Sequence, residues 1–494
     1  MVNYFIRTYG CQANVADSES ISKYLTEVGC ASVEEEKDAD VIIVNTCAVR
    51  EKAEHKLFSY LGELGELKET KPYIKLGVIG CVASYRKNEF YKRFKQVNFV
   101  YGAREEIPAL LAYLSDLIVD LETKRQLYEN NPQTFQERSR EKGYEQDRDI
   151  KSIVQRKNLL TTRLVSGLSF KKRLQDISGE KISGEQENKE KSLQKSPDKK
   201  LLELKRSFIN IMTGCNKYCT YCIVPFTRGR EVSYSMPEIL ERITHDVSNG
   251  AKEVNLVGQN VNSYKDPESG AQFPELLRAV ARINGEFWVR YISPHPQDMT
   301  RELFEVMAEY RPKLTGYVHF PLQSGSDKIL GLMNRNYTAS EYLAKIAWVK
   351  ELLPDATLST DIIVGFPGET EEDYQATRDI MEQVKFDIIY SFIYSPRQYT
   401  KAFKMQETCS AQEKSARLEA LQKRQIEICL EQNSRNIGKT LQALVEKRLT
   451  NDKLLARTEG NVRVLFAGSD DLIGTFVKLT ITNAGPVNLE ATLI

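Results

Sequence analysis

The chain has 494 residues, of which 41% are hydrophobic and 28% charged, and its formal net charge is +1. This length predicts about three domains. No apolar run reaches membrane-spanning length, and the N-terminus lacks the basic and then apolar layout of a signal peptide, so we expect no membrane association. A charge this close to zero excludes a general attraction to nucleic acid, so an RNA-binding surface would have to be a local patch. The 9 cysteines are sparse and odd in number, which favours a reducing, cytoplasmic compartment over a disulfide framework.

In the first part of the chain, over residues 1–118, a short β-branched strand runs into a cysteine three times. Cys11 follows the strand 4–6, Cys47 follows 41–44 and Cys81 follows 76–79, with helix-like stretches at 17–28 and 51–68. This alternation predicts an open parallel α/β domain. The carboxyl ends of parallel strands meet at one edge of a sheet, so the three thiols are expected to converge and to bind an iron–sulfur cluster. The alternative is that each cysteine is simply a small buried residue.

Three further cysteines do not follow a predicted strand. Cys30 follows a helix end, and Cys409 and Cys429 lie in or near a charged helical run. We interpret Cys30 as a packing residue and the other two as incidental.

Residues 119–204 form a long polar insertion in which lysine and arginine outnumber aspartate and glutamate. Its first part, 121–138, is predicted to continue a helix, and 178–200 has the low hydrophobicity of a flexible linker. We interpret the insertion as a solvated linker, with an arm that weakly attracts nucleic acid as the alternative.

Strands and helices alternate again over residues 205–432. Strands are predicted at 208–212, 254–257, 287–292, 317–320, 357–364 and 387–394, and helices at 237–248 and 339–352 among others. Six such units in a row predict a partial (β/α)6 barrel, in which the chemistry is carried by loops at the carboxyl ends of the strands.

The loop after the first of these strands contains Cys215, Cys219 and Cys222, spaced by three and then two residues. Iron–sulfur clusters prefer thiolates and usually take four, so three cysteines can hold a cubic cluster and leave one iron to an exogenous ligand. The alternative is a zinc site with one ligand from elsewhere. Zinc sites more often combine a CxxC pair with a second pair or with nearby histidines, and here the nearest histidine is the distant His245.

The other strand-end loops of the barrel are polar in a way that packing does not require. The residues that we expect to touch a bound cofactor or the substrate are Gln259, Asn260, Ser293, His295, Gln323 and Ser324. Each of these loops could also be an ordinary turn, because Gly, Pro, Asn and Ser are turn formers. A general-base role for His295 has little support, since two flanking prolines are typical of a rigid loop.

Residues 433–494 are predicted to form a small β-barrel, with strands near 437–445, 462–466 and 472–481. Five basic residues of this segment are candidates for phosphate contacts: Lys447, Arg448, Lys453, Arg457 and Arg463. A barrel that serves oligomerisation or capping is the alternative, because small barrels recur with unrelated roles.

Taken together, these motifs resemble the methylthiotransferases, a radical S-adenosylmethionine (SAM) family with two 4Fe–4S clusters. The matching segments are 8–14, 45–54, 80–84, 214–231 and 253–262. The resemblance implies an α/β protein with an N-terminal open parallel α/β domain, a central partial (β/α)6 radical SAM barrel and a C-terminal small TRAM-like β-barrel. It also implies that Cys11, Cys47 and Cys81 bind an auxiliary cluster, and that Cys215, Cys219 and Cys222 bind the cluster that cleaves SAM.

The resemblance further implies a reaction, the methylthiolation of carbon 2 of N6-(dimethylallyl)adenosine next to the anticodon of tRNA. The carbon–hydrogen bond of an aromatic ring resists amino-acid side chains, so the cofactors must carry the difficult step. Within the same chemistry the target could instead be threonylcarbamoyl-adenosine in tRNA or an aspartate of a ribosomal protein. An alternative of another class is a non-catalytic RNA-binding protein that uses a cluster as a structural staple.

The implied partners are the anticodon stem-loop of tRNA, an electron donor such as flavodoxin or ferredoxin, and a source of sulfur. An anticodon-loop adenine is single-stranded and can be presented unstacked to a protein pocket. A monomer is expected.

Overall fold

The computed structural model describes residues 1–48, 51–103, 106–130, 206–449 and 453–494. The chain divides into two compact units, residues 1–201 and residues 202–494. The predicted insertion at 119–204 begins within a helix that ends at Asn130, and the rest of it lies outside the described residues. None of the described helices is long and apolar enough to cross a membrane.

Twelve helices of the described residues are labelled in chain order. They are Gln12–Glu27 (α1), Glu51–Thr70 (α2), Cys81–Arg93 (α3), Ile107–Asn130 (α4), Val224–Arg228 (α5), Met236–Ser248 (α6), Phe273–Ala281 (α7), Arg301–Glu309 (α8), Asp327–Leu332 (α9), Ala339–Leu352 (α10), Glu371–Val384 (α11) and Ala411–Ser434 (α12). Capping boxes fix the start of several barrel helices, for example Thr338 with Glu341 at α10 and Thr370 with Asp373 at α11.

The strands are labelled in the same way. They are Asn3–Tyr9 (β1), Ala31–Ser32 (β2), Val41–Thr46 (β3), Lys75–Gly80 (β4), Val97–Tyr101 (β5), Arg206–Asn210 (β6), Met212–Thr213 (β7), Val232–Ser233 (β8), Glu253–Val257 (β9), Trp288–Tyr291 (β10), Tyr317–His319 (β11), Thr357–Val364 (β12), Ile388–Ile393 (β13), Thr440–Arg448 (β14), Lys453–Thr458 (β15), Arg463–Ala467 (β16), Phe476–Ala484 (β17) and Asn488–Leu493 (β18).

The first unit contains a parallel five-stranded sheet in the order β2-β1-β3-β4-β5. Every residue of the central strand β3 is buried, as expected for a parallel sheet that is covered on both faces. Ile21 and Leu25 of α1 and Leu110 and Leu114 of α4 pack into its core. The predicted open parallel α/β domain is therefore confirmed. The sequence did not reveal β2, and α1 begins five residues before the helix-like stretch that was predicted.

The second unit contains the predicted (β/α)6 barrel. Parallel strands run in the order β6-β9-β10 and β11-β12-β13, and a bridge between Val289 and Leu314 joins the two groups. All six predicted strands are present, each within a few residues of the expected bounds. The barrel is partial, because β13 pairs only with β12 among the described strands. Apolar helix faces cover it from outside, for example Ile239 and Ile243 of α6.

The chain ends in a closed five-stranded barrel in the order β14-β15-β16-β18-β17, which confirms the predicted small β-barrel. Its turn after β15 lies against the N-terminal ends of the (β/α)6 strands. The Arg290 guanidinium donates to the carbonyl oxygens of Glu459 at 2.7 Å and Thr458 at 3.0 Å. The Glu459 carboxylate pairs with Arg311 at 2.9 Å. The small barrel is thus attached at the end of the (β/α)6 barrel that lies opposite the carboxyl ends of its strands.

Candidate iron–sulfur and cofactor sites

The three N-terminal cysteines lie at one edge of the five-stranded sheet. Tyr9 of β1 pairs with Thr46 of β3, which in turn pairs with Gly80 of β4, so these residues end three adjacent strands at one level. Cys11 follows Tyr9 by two residues, and Cys47 and Cys81 follow Thr46 and Gly80 directly. Cys11 caps α1 and Cys81 is the first residue of α3, so both lie at helix N-termini, which favour negative charge.

Two buried asparagines lock this edge together. Asn14 Nδ2 donates to Asn45 Oδ1 at 2.9 Å, and Asn45 Nδ2 donates to the Asn14 carbonyl oxygen at 2.9 Å. Neither side chain is exposed to solvent. Gly80 packs tightly against this pair of asparagines, because a Cβ atom at Gly80 would lie 2.4 Å from Asn45 Oδ1. The asparagines therefore hold the start of α1 and the end of β3, and with them Cys11 and Cys47, at a set distance.

The second set of cysteines lies in the loop after β7. Gly214 opens this loop at a φ of +81°, and a Cβ atom there would lie 2.0 Å from the carbonyl oxygen of Arg230. The backbone then turns tightly, with the Cys222 amide donating to the Cys219 carbonyl at 2.9 Å. Burial raises the pKa of the Cys215 and Cys222 thiols to about 12, and the neighbouring Cys219 adds to both shifts. Two neighbouring thiols that resist ionisation fit a centre whose iron supplies the compensating positive charge.

Arg335 is a site residue that the sequence did not reveal. Its guanidinium is buried, with Nη1 3.4 Å from Cys219 Sγ and Nε 3.0 Å from the Tyr337 hydroxyl. Burial alone would lower the pKa of Arg335, but Tyr221, Tyr337 and Cys219 more than offset this, so it stays charged. The guanidinium therefore places a fixed positive charge beside the Cys219 sulfur. The arginine lies 116 residues beyond this cysteine in sequence, in a turn between two helices, and no local pattern marks it.

The predicted rim residues come to the carboxyl ends of the barrel strands. Gln259 Oε1 accepts from the Gly214 amide at 2.6 Å, and Asn260 Nδ2 donates to Asp298 Oδ2 at 2.9 Å. Ser293 and Gln323 both have left-handed backbones, with φ of +64° and +71°. Non-glycine residues in this conformation concentrate at functional sites, where the surrounding structure holds them.

Ser324 differs from the other rim residues. Its hydroxyl oxygen lies 3.4 Å from Thr377 Oγ1 of α11 and accepts from the Ser326 amide at 3.3 Å. These contacts tie the loop to the outer helix, so this side chain shapes the loop.

His295 is buried and held neutral at the rim. Its Nδ1 accepts from the Gln297 amide at 3.2 Å, so a neutral ring carries its proton on Nε2. Burial, together with Arg335, Lys217 and Lys345, lowers the pKa of His295 to about 2. A ring that stays neutral can donate from Nε2, and its low pKa argues against a general base that gains a proton.

Among the described residues, nine buried side-chain N and O atoms have no hydrogen-bond partner, and three of them lie beside the second cysteine set. They are Thr213 Oγ1, Asn260 Oδ1 and His295 Nε2. Such atoms are rare in native proteins because each costs free energy, and a ligand that binds there is a common explanation. Two acceptors and one donor fit the polar groups of SAM. At the other site, Thr46 Oγ1 next to Cys47 is also without a partner among the described residues.

In the described part of the chain, no three His, Cys, Asp or Glu side chains converge as the ligands of a single metal ion. A cubic cluster offers a separate iron to each thiolate, so its ligands need not meet at one point.

Comparisons with known proteins cover most of the chain. Residues 3–102 match the model of uncharacterized protein family UPF0004, residues 209–381 match the radical SAM superfamily and residues 434–494 match the TRAM domain. A radical S-adenosylmethionine methyltransferase, TsrM, from Kitasatospora setae has a similar fold, with 13% identity and a TM-score of 0.50 over 82% of this chain and 75% of that one.

Curated relatives match over the full length. The tRNA-2-methylthio-N(6)-dimethylallyladenosine synthase of Carboxydothermus hydrogenoformans is 36% identical over 100% of this chain and 99% of its own length. The enzymes of the same name from Bdellovibrio bacteriovorus and Sulfurihydrogenibium sp. are 36% and 34% identical, over 99% and 100% of this chain and 95% and 99% of their own lengths. The radical SAM barrel, the TRAM barrel and these relatives together show that the chain belongs to the radical SAM family of tRNA-2-methylthio-N(6)-dimethylallyladenosine synthases.

Proposed function

We propose that this protein methylthiolates carbon 2 of N6-(dimethylallyl)adenosine next to the anticodon of tRNA. The observation that carries the proposal is the pair of three-cysteine sets, one at the carboxyl ends of the parallel strands β1, β3 and β4 and the other in the loop after β7. The full-length relatives of this chain are named for that product. A three-thiolate set leaves one iron of a cubic cluster open to a further ligand.

In this proposal Cys11, Cys47 and Cys81 hold one 4Fe–4S cluster, and Cys215, Cys219 and Cys222 hold another. When bound, the clusters and SAM supply the radical and sulfur chemistry that no amino-acid side chain offers. Support for the ligand sets comes from the shared register of the first three cysteines and from the tight loop of the second three, in which Cys215 is buried.

The chain's own residues position these groups. The Asn14–Asn45 lock holds two of the first three thiols, and Arg335 donates to Cys219 Sγ. His295 would donate from Nε2 to an acceptor of SAM or of the substrate, because it stays neutral over the working pH range. Gln259 holds the backbone at Gly214 so that the cysteine loop keeps its conformation.

The TRAM-like barrel would bind the tRNA, but with fewer of its basic residues than the sequence suggested. Arg457 pairs with Glu446 at 2.7 Å, Lys453 pairs with Glu490 at 3.0 Å, and Arg448 pairs with Asp470. Lys447 and Arg463 are exposed, and neither has an ion pair among the described residues. These two are therefore the candidates for phosphate contacts.

The proposal also includes a cytoplasmic monomer that receives electrons from a flavodoxin or ferredoxin and sulfur from a separate source. The absence of a membrane-spanning helix from the described residues is consistent with this.

The test is mass spectrometry of tRNA nucleosides from a deletion strain, with and without the gene restored. The proposal predicts that 2-methylthio-N6-(dimethylallyl)adenosine disappears, that its precursor accumulates, and that the wild-type gene reverses both. Unchanged levels of this nucleoside would contradict the proposal. A specific loss of methylthiolated threonylcarbamoyl-adenosine or of the ribosomal aspartate modification would assign the protein to the alternative substrates.

A further inference from the structure

A hydrogen-bonded group of polar side chains lies inside the (β/α)6 barrel. His319 Nδ1 lies 2.9 Å from Ser359 Oγ, and His319 Nε2 lies 3.3 Å from Asp361 Oδ2. Ser359 Oγ lies 2.7 Å from the Tyr317 hydroxyl oxygen. Parallel pairing of His319 with Ser359 places these side chains on one face of the sheet, and alternation along β12 adds Asp361 to the same face. Hydrophobic packing does not require these linked polar side chains, so their presence points to a ligand.

Asp361 lies directly beneath the rim. Its carbonyl oxygen accepts from the amide of the rim residue Gln323 at 2.8 Å. Ile363, two residues further along the same strand face, packs in the cluster that contains Tyr221 of the cysteine loop. Two residues of a strand span about 7 Å, so the Asp361 carboxylate lies about one side-chain layer below that loop.

This part of the barrel interior is open to solvent. Tyr390 pairs with Asp361 and Phe392 pairs with Ile363 across β12 and β13, and these two aromatic side chains are 41% and 49% exposed. Asp361 uses Oδ2 toward His319, which leaves Oδ1 for a ligand. One carboxylate acceptor and two exposed rings therefore stand side by side, under the loops that would hold SAM.

We propose that Asp361 recognises the target base by accepting a hydrogen bond from its N6–H group, while Tyr390 and Phe392 contact the ring and its apolar dimethylallyl group. N6-(dimethylallyl)adenosine has a single N6–H donor, and a carboxylate accepts it in a charge-assisted hydrogen bond. Aromatic side chains are the usual platform for an unstacked base. His319 is a positioning residue, because its contact holds Oδ2 and so aims Oδ1. The inference rests on the proposed function and adds to it the residue that reads the base.

The experiment measures the activity of the full-length enzyme on two anticodon stem-loops. One carries N6-(dimethylallyl)adenosine, and the other carries the same base with an added N6-methyl group that removes the N–H donor. The wild type is predicted to favour the first in kcat/KM by about 10- to 100-fold, the size expected for a hydrogen bond to a charged group, mostly through KM. In Asp361→Ala this preference falls to a few-fold. In Ser359→Ala, which alters the same hydrogen-bonded group without touching the proposed acceptor, the preference stays.

Iron content and SAM cleavage without RNA report whether each variant folds. If folded Asp361→Ala keeps the wild-type preference, the bulk of the added methyl group explains the preference and the inference is overturned. Equal loss of preference in Ser359→Ala would also overturn it, because that result marks a structural role for the whole hydrogen-bonded group. A wild-type enzyme that methylthiolates neither stem-loop would instead contradict the proposed function.

Discussion

Asn14 and Asn45 exchange hydrogen bonds at the edge of the N-terminal sheet, with two donor–acceptor distances of 2.9 Å. The first residue lies in the first turn of α1 and the second near the end of β3. Each stands close in sequence to a cysteine, so the exchange sets the separation of Cys11 and Cys47. Breaking one member would leave buried amide groups without partners, a cost of about 1–3 kcal/mol.

Gly80→Ala tests how tightly this edge is packed. The new Cβ atom would lie 2.4 Å from Asn45 Oδ1 and 2.6 Å from the Thr46 carbonyl oxygen, and φ at this position is +95°. We predict a protein that loses about half of its iron, because only the proposed N-terminal cluster would be disturbed. Metal analysis after anaerobic reconstitution measures this loss.

Gly29→Ala is the matched control for that change. Gly29 has a φ of +89°, but a Cβ atom there meets nothing within 4 Å. It should therefore show only the backbone cost of about 1–2 kcal/mol and keep its full iron content. Equal iron loss in both variants would show that backbone strain alone, and not contact with Asn45, explains the effect.

Single cysteine variants should separate the two sites by activity. Cys219→Ala is predicted to abolish reductive SAM cleavage, whereas Cys47→Ala keeps SAM cleavage and stops methylthiolation. Cys30→Ala is the control, because Cys30 packs in the hydrophobic core of the N-terminal unit as predicted, and it should keep both activities. Liquid chromatography of 5′-deoxyadenosine and of the modified nucleoside measures the two. Normal methylthiolation by Cys47→Ala would contradict the assignment of the auxiliary site.

The low pKa of His295, about 2, predicts a specific dependence of stability on pH. In the unfolded chain this histidine takes up a proton near pH 6.5, whereas in the folded protein it stays neutral. The contribution of His295 to the free energy of unfolding is therefore fully present above pH 6.5. Well below that pH it falls by about 1.4 kcal/mol per pH unit.

Thermal unfolding of wild type and His295→Gln between pH 7.5 and 5 measures this effect. The midpoint of the wild type should fall more steeply than that of the variant as the pH is lowered. His245→Gln changes an exposed histidine on α6 and serves as the control. Parallel curves for wild type and His295→Gln would mean that His295 is protonated in the folded protein.

Lys447 and Arg463, which have no ion pair among the described residues, should act on tRNA affinity. We predict that Lys447→Gln and Arg463→Gln each weaken tRNA binding and each lower the slope of log affinity against log salt by about 0.7–0.9. Arg457→Gln should leave the slope unchanged and lower the unfolding temperature, since Arg457 pairs with the buried Glu446. Fluorescence titration over a range of salt concentrations measures the slopes. If only Arg457→Gln changed the slope, the phosphate contact would belong to Arg457 and not to Lys447 or Arg463.

Most of the fold was predictable because its signals are local. Six strands of the barrel and the three cysteine-terminated strands of the first sheet each show an apolar run followed by polar turn residues. The two-residue strand β2 was not predictable, because an edge strand of that length has no periodicity. Helix α1 was predicted to begin too late, since the polar residues of its first turn hide the helical pattern.

Within the candidate sites, the cysteines were predictable and their supporting residues were not. Asn14 and Asn45 are 31 residues apart, and Arg335 reaches Cys219 across 116 residues. Such contacts depend on how the elements pack, and a single sequence carries no periodic signal for them. The pairing of Arg457 with Glu446 was missed for a simpler reason. The sequence pattern of a strand is the same whether a basic residue on it faces solvent or a carboxylate.

The most direct test counts iron and sulfide in three proteins prepared without oxygen. They are the wild type, a variant with Cys11, Cys47 and Cys81 replaced by alanine, and a variant with Cys215, Cys219 and Cys222 replaced by alanine. Two cubic clusters predict about eight iron atoms in the wild type and about four in each variant. A wild type with about four iron atoms, or a variant that loses all of its iron while the other loses none, would contradict two independent three-cysteine sites.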